Sequence, residues 1–150
     1  MKHFAHRFVA RAPLAQVAAF YHSARALRLL TPPPAFIQFH RLDPLADGAI
    51  ADFTLWLGPL PVRWLARHSA VTLQTGFTDA QERGPFAHWV HCHTFEALDE
   101  HTTAVVDEIE AQPGRHPLWG LVSWLIWLSL PLLFAYRGWR TRRLLNSTLI

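Results

Sequence analysis

One cysteine, one methionine and one lysine occur among 150 residues, and each scarcity excludes something. Lone Cys92 removes an intramolecular disulfide and any cysteine-only zinc site, and fits a reducing compartment. With Lys2 the only lysine, thirteen of the fourteen cations are arginine, the mark of an arginine-favouring genome rather than of a designed basic patch. The first residues, Met-Lys-His-Phe-Ala-His-Arg, lack the apolar core of a secretory signal, so the cytoplasm is the expected location. Charged residues make up only 17% and apolar ones 51%, which excludes a disordered chain. The formal charge of +3 comes with no helix-turn-helix, zinc-finger or stacking-sheet signature, so nucleic acid is not an expected partner.

What is present reads as one domain, 1–150, of α+β class. Residues 3–11 alternate as a half-buried strand. Pro13 opens a helical stretch that breaks near His22-Ser23 and stops at Thr31-Pro32-Pro33-Pro34, where ring-locked residues cannot continue it. Strand-like segments follow at 35–42, 50–57, 62–75, 77–82, 86–98 and 102–112, separated by Asp43-Pro44, Gly58-Pro59, Gly84-Pro85 and Asp99-Glu100-His101 turns. Sequential hairpins predict an antiparallel sheet of about six or seven strands, with helices only after strand 1 and at the end.

Pro117–Tyr136 is an uncharged run of 20 residues followed by Arg137, Arg140, Arg142 and Arg143. It is long enough to span a bilayer. The following arginines, however, would keep the C-terminus in the cytoplasm and require export of everything before it. A helix packed on the sheet is the better reading. Because this helix has no clean polar stripe, its outer side needs a cover. The candidates are a second subunit, giving a homodimer, or the membrane surface, met by the helix and its four arginines. Pro131 or Gly138 is the expected kink.

The segment Gly84-Pro85-Phe86-Ala87-His88-Trp89-Val90-His91-Cys92-His93-Thr94-Phe95, preceded by Phe77-Thr78-Asp79-Ala80-Gln81, resembles a bacterial group in the START, polyketide cyclase/dehydrase and pollen-allergen-like superfamily, SRPBCC. Leu30-Thr31-Pro32-Pro33, the Asp107 strand and Phe134-x-Tyr136-Arg137 are similar to it as well. The resemblance covers nearly the whole chain. It implies a helix-grip fold, a curved sheet wrapped on a long C-terminal helix, and a cavity for a hydrophobic ligand. Glu100-His101 departs from the glycine-rich turn of that group, and the last helix is more continuously apolar. The superfamily spans lipid carriers, quinone binders, cyclases and hydrolases, so the resemblance leaves function open between a carrier and a cyclase- or dehydratase-type enzyme.

His91 and His93, two apart on a strand, leave the same face. If the hairpin turn centres on Glu100-His101, Glu110 lies opposite His91 and Glu108 opposite His93; a one-residue change puts Asp107 across from Phe95, on the histidines' face. His91, His93 and Asp107 are thus the candidate acid–base residues. Two histidines without a clear third ligand do not make a metal site, so neither metal nor cofactor is expected. Asp52, Arg67 and His68 form a second polar group. The aromatic surplus makes Phe53, Trp64, His68, Trp89, Phe95, Trp124 and Trp127 the candidate ligand-lining set, for a flat or acyl molecule.

Overall fold

The computed structural model describes residues 1–146. The strands are β1 (Lys2–Ala10), β2 (Phe36–Leu42), β3 (Ile50–Leu57), β4 (Leu60–Thr72), β5 (Gly76–Arg83), β6 (Phe86–Asp99) and β7 (Thr102–Pro113). Two short helices, α1 (Leu14–His22) and α2 (Ala26–Leu29), follow β1, and α3 (Pro117–Asn146) ends the described chain. All strand pairs are antiparallel, in the order β1-β7-β6-β5-β4-β3-β2. Only β1 crosses over, to pair with β7; the rest is hairpin next to hairpin, as the turn spacing predicts. Ser23 caps α1 with an extended backbone, so the break near His22-Ser23 is real.

The hairpin between β6 and β7 corrects both registers considered above. Asp99 pairs with Thr102, so the turn is centred on Glu100-His101 as expected. Leu98 then bulges out of β6, and every pair below it is displaced by one residue: Ala97 faces Thr103, Phe95 faces Val105, and His93 faces Asp107. A bulge adds one residue to one strand and cannot be read from periodicity alone. Its effect is to put Asp107 directly across from His93.

Helix α3 runs through Pro131 without interruption. One stripe, including Gly120, Ser123, Leu130, Phe134, Gly138, Thr141 and Leu145, is buried, packing the helix on β1, β6 and β7. A second stripe at three- and four-residue spacing, Leu118, Leu121, Leu125, Leu128, Leu132, Ala135 and Trp139, is exposed. Both faces are apolar, which is why no polar stripe shows in the sequence. The helix is long and apolar enough to cross a membrane, yet it supplies Leu130 and Phe134 to the protein's own core.

That core is divided. One cluster gathers Phe53, Trp64, Phe86, Trp89, Ile109, Leu130 and Phe134. The other gathers Phe8, Val17, Phe77, Phe95, Val105 and Leu145. His91 and His93 follow Trp89 and precede Phe95 on β6, so they sit at the seam.

Close strand approach at this seam depends on Gly76, whose φ is +131° and where a Cβ would lie 1.9 Å from the carbonyl oxygen of His93. Gly76→Ala is expected to cost at least about 1–3 kcal/mol from backbone strain, with β5 pushed off His93 in addition. Gly58→Ala, also at positive φ (+63°) but with nothing within 4 Å, should cost less. Urea unfolding of the two variants checks the order.

Candidate functional site

Between the sheet and α3 lies a cavity of about 760 Å³, within the usual range for small-molecule sites. Its walls are apolar over most of their extent: Leu27, Ile37, Phe39, Phe53, Leu55 and Trp64 on one side, Ile126, Leu130 and Leu133 from α3 on the other. The polar groups gather where β5, β6 and β7 run side by side. His91 pairs with Asp79 across β5 and β6, and His93 with Asp107 across β6 and β7, so strand register alone places two histidines between two carboxylates. Tyr21 from α1 and Arg137 from α3 complete this end of the lining.

The contacts are short. His91 Nε2 donates to Asp107 Oδ1 at 2.9 Å, and His93 Nε2 donates to Asp79 Oδ2 at 3.0 Å. His93 Nδ1 is 3.0 Å from the same Asp107 oxygen but has no hydrogen-bond geometry, so it is an ion-pair contact only. His91 Nδ1 is 3.8 Å from Asp79 Oδ2. The two rings lie 3.8 Å apart by centroid, and Phe77 stacks on His93 at 4.4 Å. His91 and Asp107 are each 4% exposed.

Burial and charge act in opposition here. Burial disfavours a charged His93, but the carboxylates of Asp107 and Asp79 outweigh it and hold the ring's pKa up at about 9. His91 is pushed down, by burial and then by the charge on its neighbour His93. Asp107 and Asp79 are both held low, because the histidines overcome the burial penalty on each. Burial raises Tyr21, reinforced by Asp107, and its hydroxyl meets Thr141 Oγ1 at 3.1 Å. Burial lowers Arg137, opposed by Asp107; its Nε donates to the Leu30 carbonyl at 3.3 Å. At neutral pH two carboxylates thus face two cations, His93 and Arg137, beside a neutral His91.

The same architecture recurs in solved structures. A protein from Chromobacterium violaceum superposes with a TM-score of 0.76 at 13% identity, covering 97% of this chain and 98% of that one. Zhui aromatase/cyclase from Streptomyces sp. R1128 gives 0.66 at 16% identity, covering 95% of each. Norcoclaurine synthase from Thalictrum flavum, in complex with dopamine and hydroxybenzaldehyde, gives 0.67 at 16% identity, covering 97% and 87%. The fold is the helix-grip fold. No family model matches the chain, and no curated protein matches it.

Within the helix-grip cavity, the structure brings together His91, His93 and Asp107, and lines the walls with Phe53, Trp64, His68 and Trp89. Three expected lining residues are elsewhere. Phe95 packs in the second core cluster. Trp127 packs edge-on against Phe4 at 6.5 Å. Trp124 is 42% exposed, with the Lys2 ammonium 4.3 Å from its ring centre. The two tryptophans follow from α3 meeting the sheet through a narrower stripe than its aromatic content suggests, whereas Phe95 lies on β6 beyond the histidines, on the far side of the seam. The second polar group also divides. His68 faces the cavity, its Nδ1 donating to the Ala49 carbonyl at 3.2 Å. Asp52 instead forms a two-point pair with Arg63 at 2.8 Å, and Arg67 pairs with Glu82, all on the outer face. Glu108 and Glu110 are turned away from His91 and His93. Cys92 is half-buried on that same outer face rather than in the core.

Sequence reasoning missed Asp79 and Arg137 as site residues. Asp79 carried a signal: it is the one acid on the Phe77–Asp79–Gln81 side of β5. Arg137 was grouped with the lipid-facing arginines, but it points into the cavity. Helical spacing separates it from Arg142 and Arg143, which are exposed.

The opposite shifts of the two histidines set a pH profile. His93, raised from 6.5, contributes stability that is complete below about pH 6.5 and is lost as pH climbs toward 9. His91, lowered, contributes above its ordinary 6.5 and loses that as pH falls. Stability should therefore peak near pH 6.5. The alkaline loss should be roughly 3 kcal/mol, and His93→Gln should flatten that limb. Urea midpoints from pH 5.5 to 9.5 read both effects; a wild-type profile flat from 6.5 to 9 contradicts this charge assignment.

Proposed function

We propose that this protein binds a hydrophobic small molecule bearing one polar group, with its apolar body against the aromatic walls and its polar group at the His91–His93–Asp107–Arg137 end. The observation that carries this is the juxtaposition, in one cavity of about 760 Å³, of a mostly apolar lining with a cluster of charges, Asp79, His91, His93, Asp107 and Arg137, at one end. The shape suits a flat or acyl body, and an inward arginine suits a phenolate or carboxylate. Fold similarity to an aromatase/cyclase and to a norcoclaurine synthase supports a small aromatic ligand. Carriage or sequestration is the reading that uses the apolar walls most fully.

A second reading has one specific observation in its favour: a neutral His91 beside a protonated His93 is a base next to an acid, which proton-transfer chemistry of cyclase or dehydratase type requires. Binding and turnover separate experimentally. Titration with the fluorescent anion 1-anilinonaphthalene-8-sulfonate should show saturable binding, weakened roughly tenfold, about 1.4 kcal/mol, by Ala66→Leu, which fills the cavity away from the charges. Native mass spectrometry of protein purified from cells, with solvent extraction, identifies a resident molecule. Unaltered dye binding in Ala66→Leu together with no extractable ligand sinks the binding reading. Unchanged turnover of a polyketide-like substrate in His91→Gln and His93→Gln would remove the enzymatic one.

The outer stripe of α3 supports a homodimer. Exposed Leu118, Leu121, Leu125, Leu128 and Leu132 alternate three and four residues apart, the spacing that seats one helix against another. With Trp139 they form one continuous exposed apolar stripe along the helix. The membrane alternative is weaker, because Arg137 faces inward and Arg143 lies over Trp139 rather than extending as a cationic rim. Light scattering after size exclusion should give twice the chain mass, reverting to one in Leu125→Glu/Leu128→Glu. A monomeric wild type contradicts it.

A further inference from the structure

Asp79, His91 and His93 each offer one donor atom within 4.8 Å of the other two. Asp79 Oδ2 is 3.0 Å from His93 Nε2 and 3.8 Å from His91 Nδ1. In a tetrahedral zinc site with bonds of about 2.0–2.1 Å, ligand atoms sit roughly 3.3 Å apart, and these two separations bracket that value. Expecting no metal rested on the want of a third ligand. Asp79 provides it, from a strand whose register to β6 is fixed by Asp79 lying opposite His91.

Asp107 strengthens the case from behind. His91 Nε2 donates to its Oδ1, and His93 Nδ1 approaches the same oxygen at 3.0 Å. A carboxylate on the far nitrogen of a histidine fixes ring orientation and raises the basicity of the near nitrogen, the usual support of a metal-binding imidazole. Phe77, stacked on His93, restrains the ring further. As a neutral ring donating through Nε2, His91 keeps its lone pair on Nδ1, the atom nearest Asp79. That contact joins two electron-pair donors, which a cation between them would relieve.

We propose that Asp79, His91 and His93 bind one divalent transition metal of zinc type, with its open coordination positions facing the cavity. The metal takes the place of the proton shared by His93 Nε2 and Asp79 Oδ2, and that proton leaves to solvent. The two carboxylates offset the two charges of the ion, and Arg137 leaves one net positive charge for an anionic ligand group to meet. All three ligands line the cavity wall, so a phenolate, carboxylate or enolate oxygen of a bound molecule could reach the open positions.

The test uses metal alone, so its outcome is independent of whether the cavity holds a hydrophobic molecule. Chelator-treated wild-type protein titrated with Zn²⁺ in a calorimeter should take up one equivalent, and Co²⁺ should give visible absorption bands of a four- or five-coordinate site. Asp79→Asn and His93→Gln should each weaken binding at least tenfold. Asp107→Asn, which keeps all three ligands, should weaken it about 10–100-fold, while His88→Gln on the outer face should change nothing. Folding of each variant is checked by circular dichroism. Two results overturn the proposal whatever the variants do: no stoichiometric uptake by wild type, or cobalt spectra of hexa-aquo type only. Uptake unchanged in a folded His93→Gln assigns the metal to other histidines and also overturns it.

Discussion

Placing Asp107 and Asp79 in a low-dielectric interior is the demand around which the rest of the structure is arranged. A buried carboxylate without a partner would cost several kcal/mol, and removing one member of such a pair typically costs about 3–5 kcal/mol. Here two histidines serve the two acids: His91 donates to Asp107 and His93 to Asp79, with His93 also in ion-pair contact with Asp107, which strand register places opposite it. Gly76, with no Cβ, lets β5 come close enough for that arrangement. Arg137 reaches the same region from α3, so the helix contributes charge to the site as well as cover. The two apolar clusters flank the charged group without merging across it.

The helix meets two demands on opposite faces. Its inner stripe carries Gly120, Ser123 and Gly138, where the chain passes close: a Cβ on Gly138 would lie 3.3 Å from the Phe8 ring. Leu130 and Phe134, with almost no exposure, fill the wider gap over the sheet. Its outer stripe is leucine-rich and exposed. An uncharged run of this kind looks identical in sequence whether one face or both are covered by the same molecule. That ambiguity explains why hydropathy alone raised a membrane span, and why packing, not hydropathy, decides the role of the inner face.

The element order, the break after His22 and the hairpin turn at Glu100-His101 could all be read from the chain, because proline, glycine and alternating patterns act locally. The site was readable only in part. His91 and His93 stood out, since two histidines two apart on a strand share a face by geometry alone. Their true partner depended on the bulge at Leu98, an extra residue that leaves no mark in an alternating pattern. Asp79 depended on the pairing of β5 with β6, set by a turn at Gly84-Pro85 whose register the sequence does not fix. Trp124 and Trp127 misled because helical aromatics were assumed to face the cavity, whereas small residues occupy much of the inner stripe and the indoles lie beside it.

Location of the polar end at the seam bears on what the cavity can do. If the charges served only to hold the strands together, they could have been enclosed like the buried Thr103 hydroxyl, which donates to the Ala12 carbonyl at 2.8 Å inside the packed core. Instead Asp79, His91, His93, Asp107 and Arg137 all border the cavity. An apolar pair could satisfy strand pairing at less desolvation cost, since well-packed hydrophobic groups commonly match or exceed a buried ion pair in stability. Retaining ionised groups at the end of an otherwise apolar chamber therefore makes sense when something polar arrives there. That holds for the head of a ligand, for a proton in transfer and for a metal alike, and in each case His93 is the residue whose occupancy, by proton or by cation, sets the charge the newcomer meets.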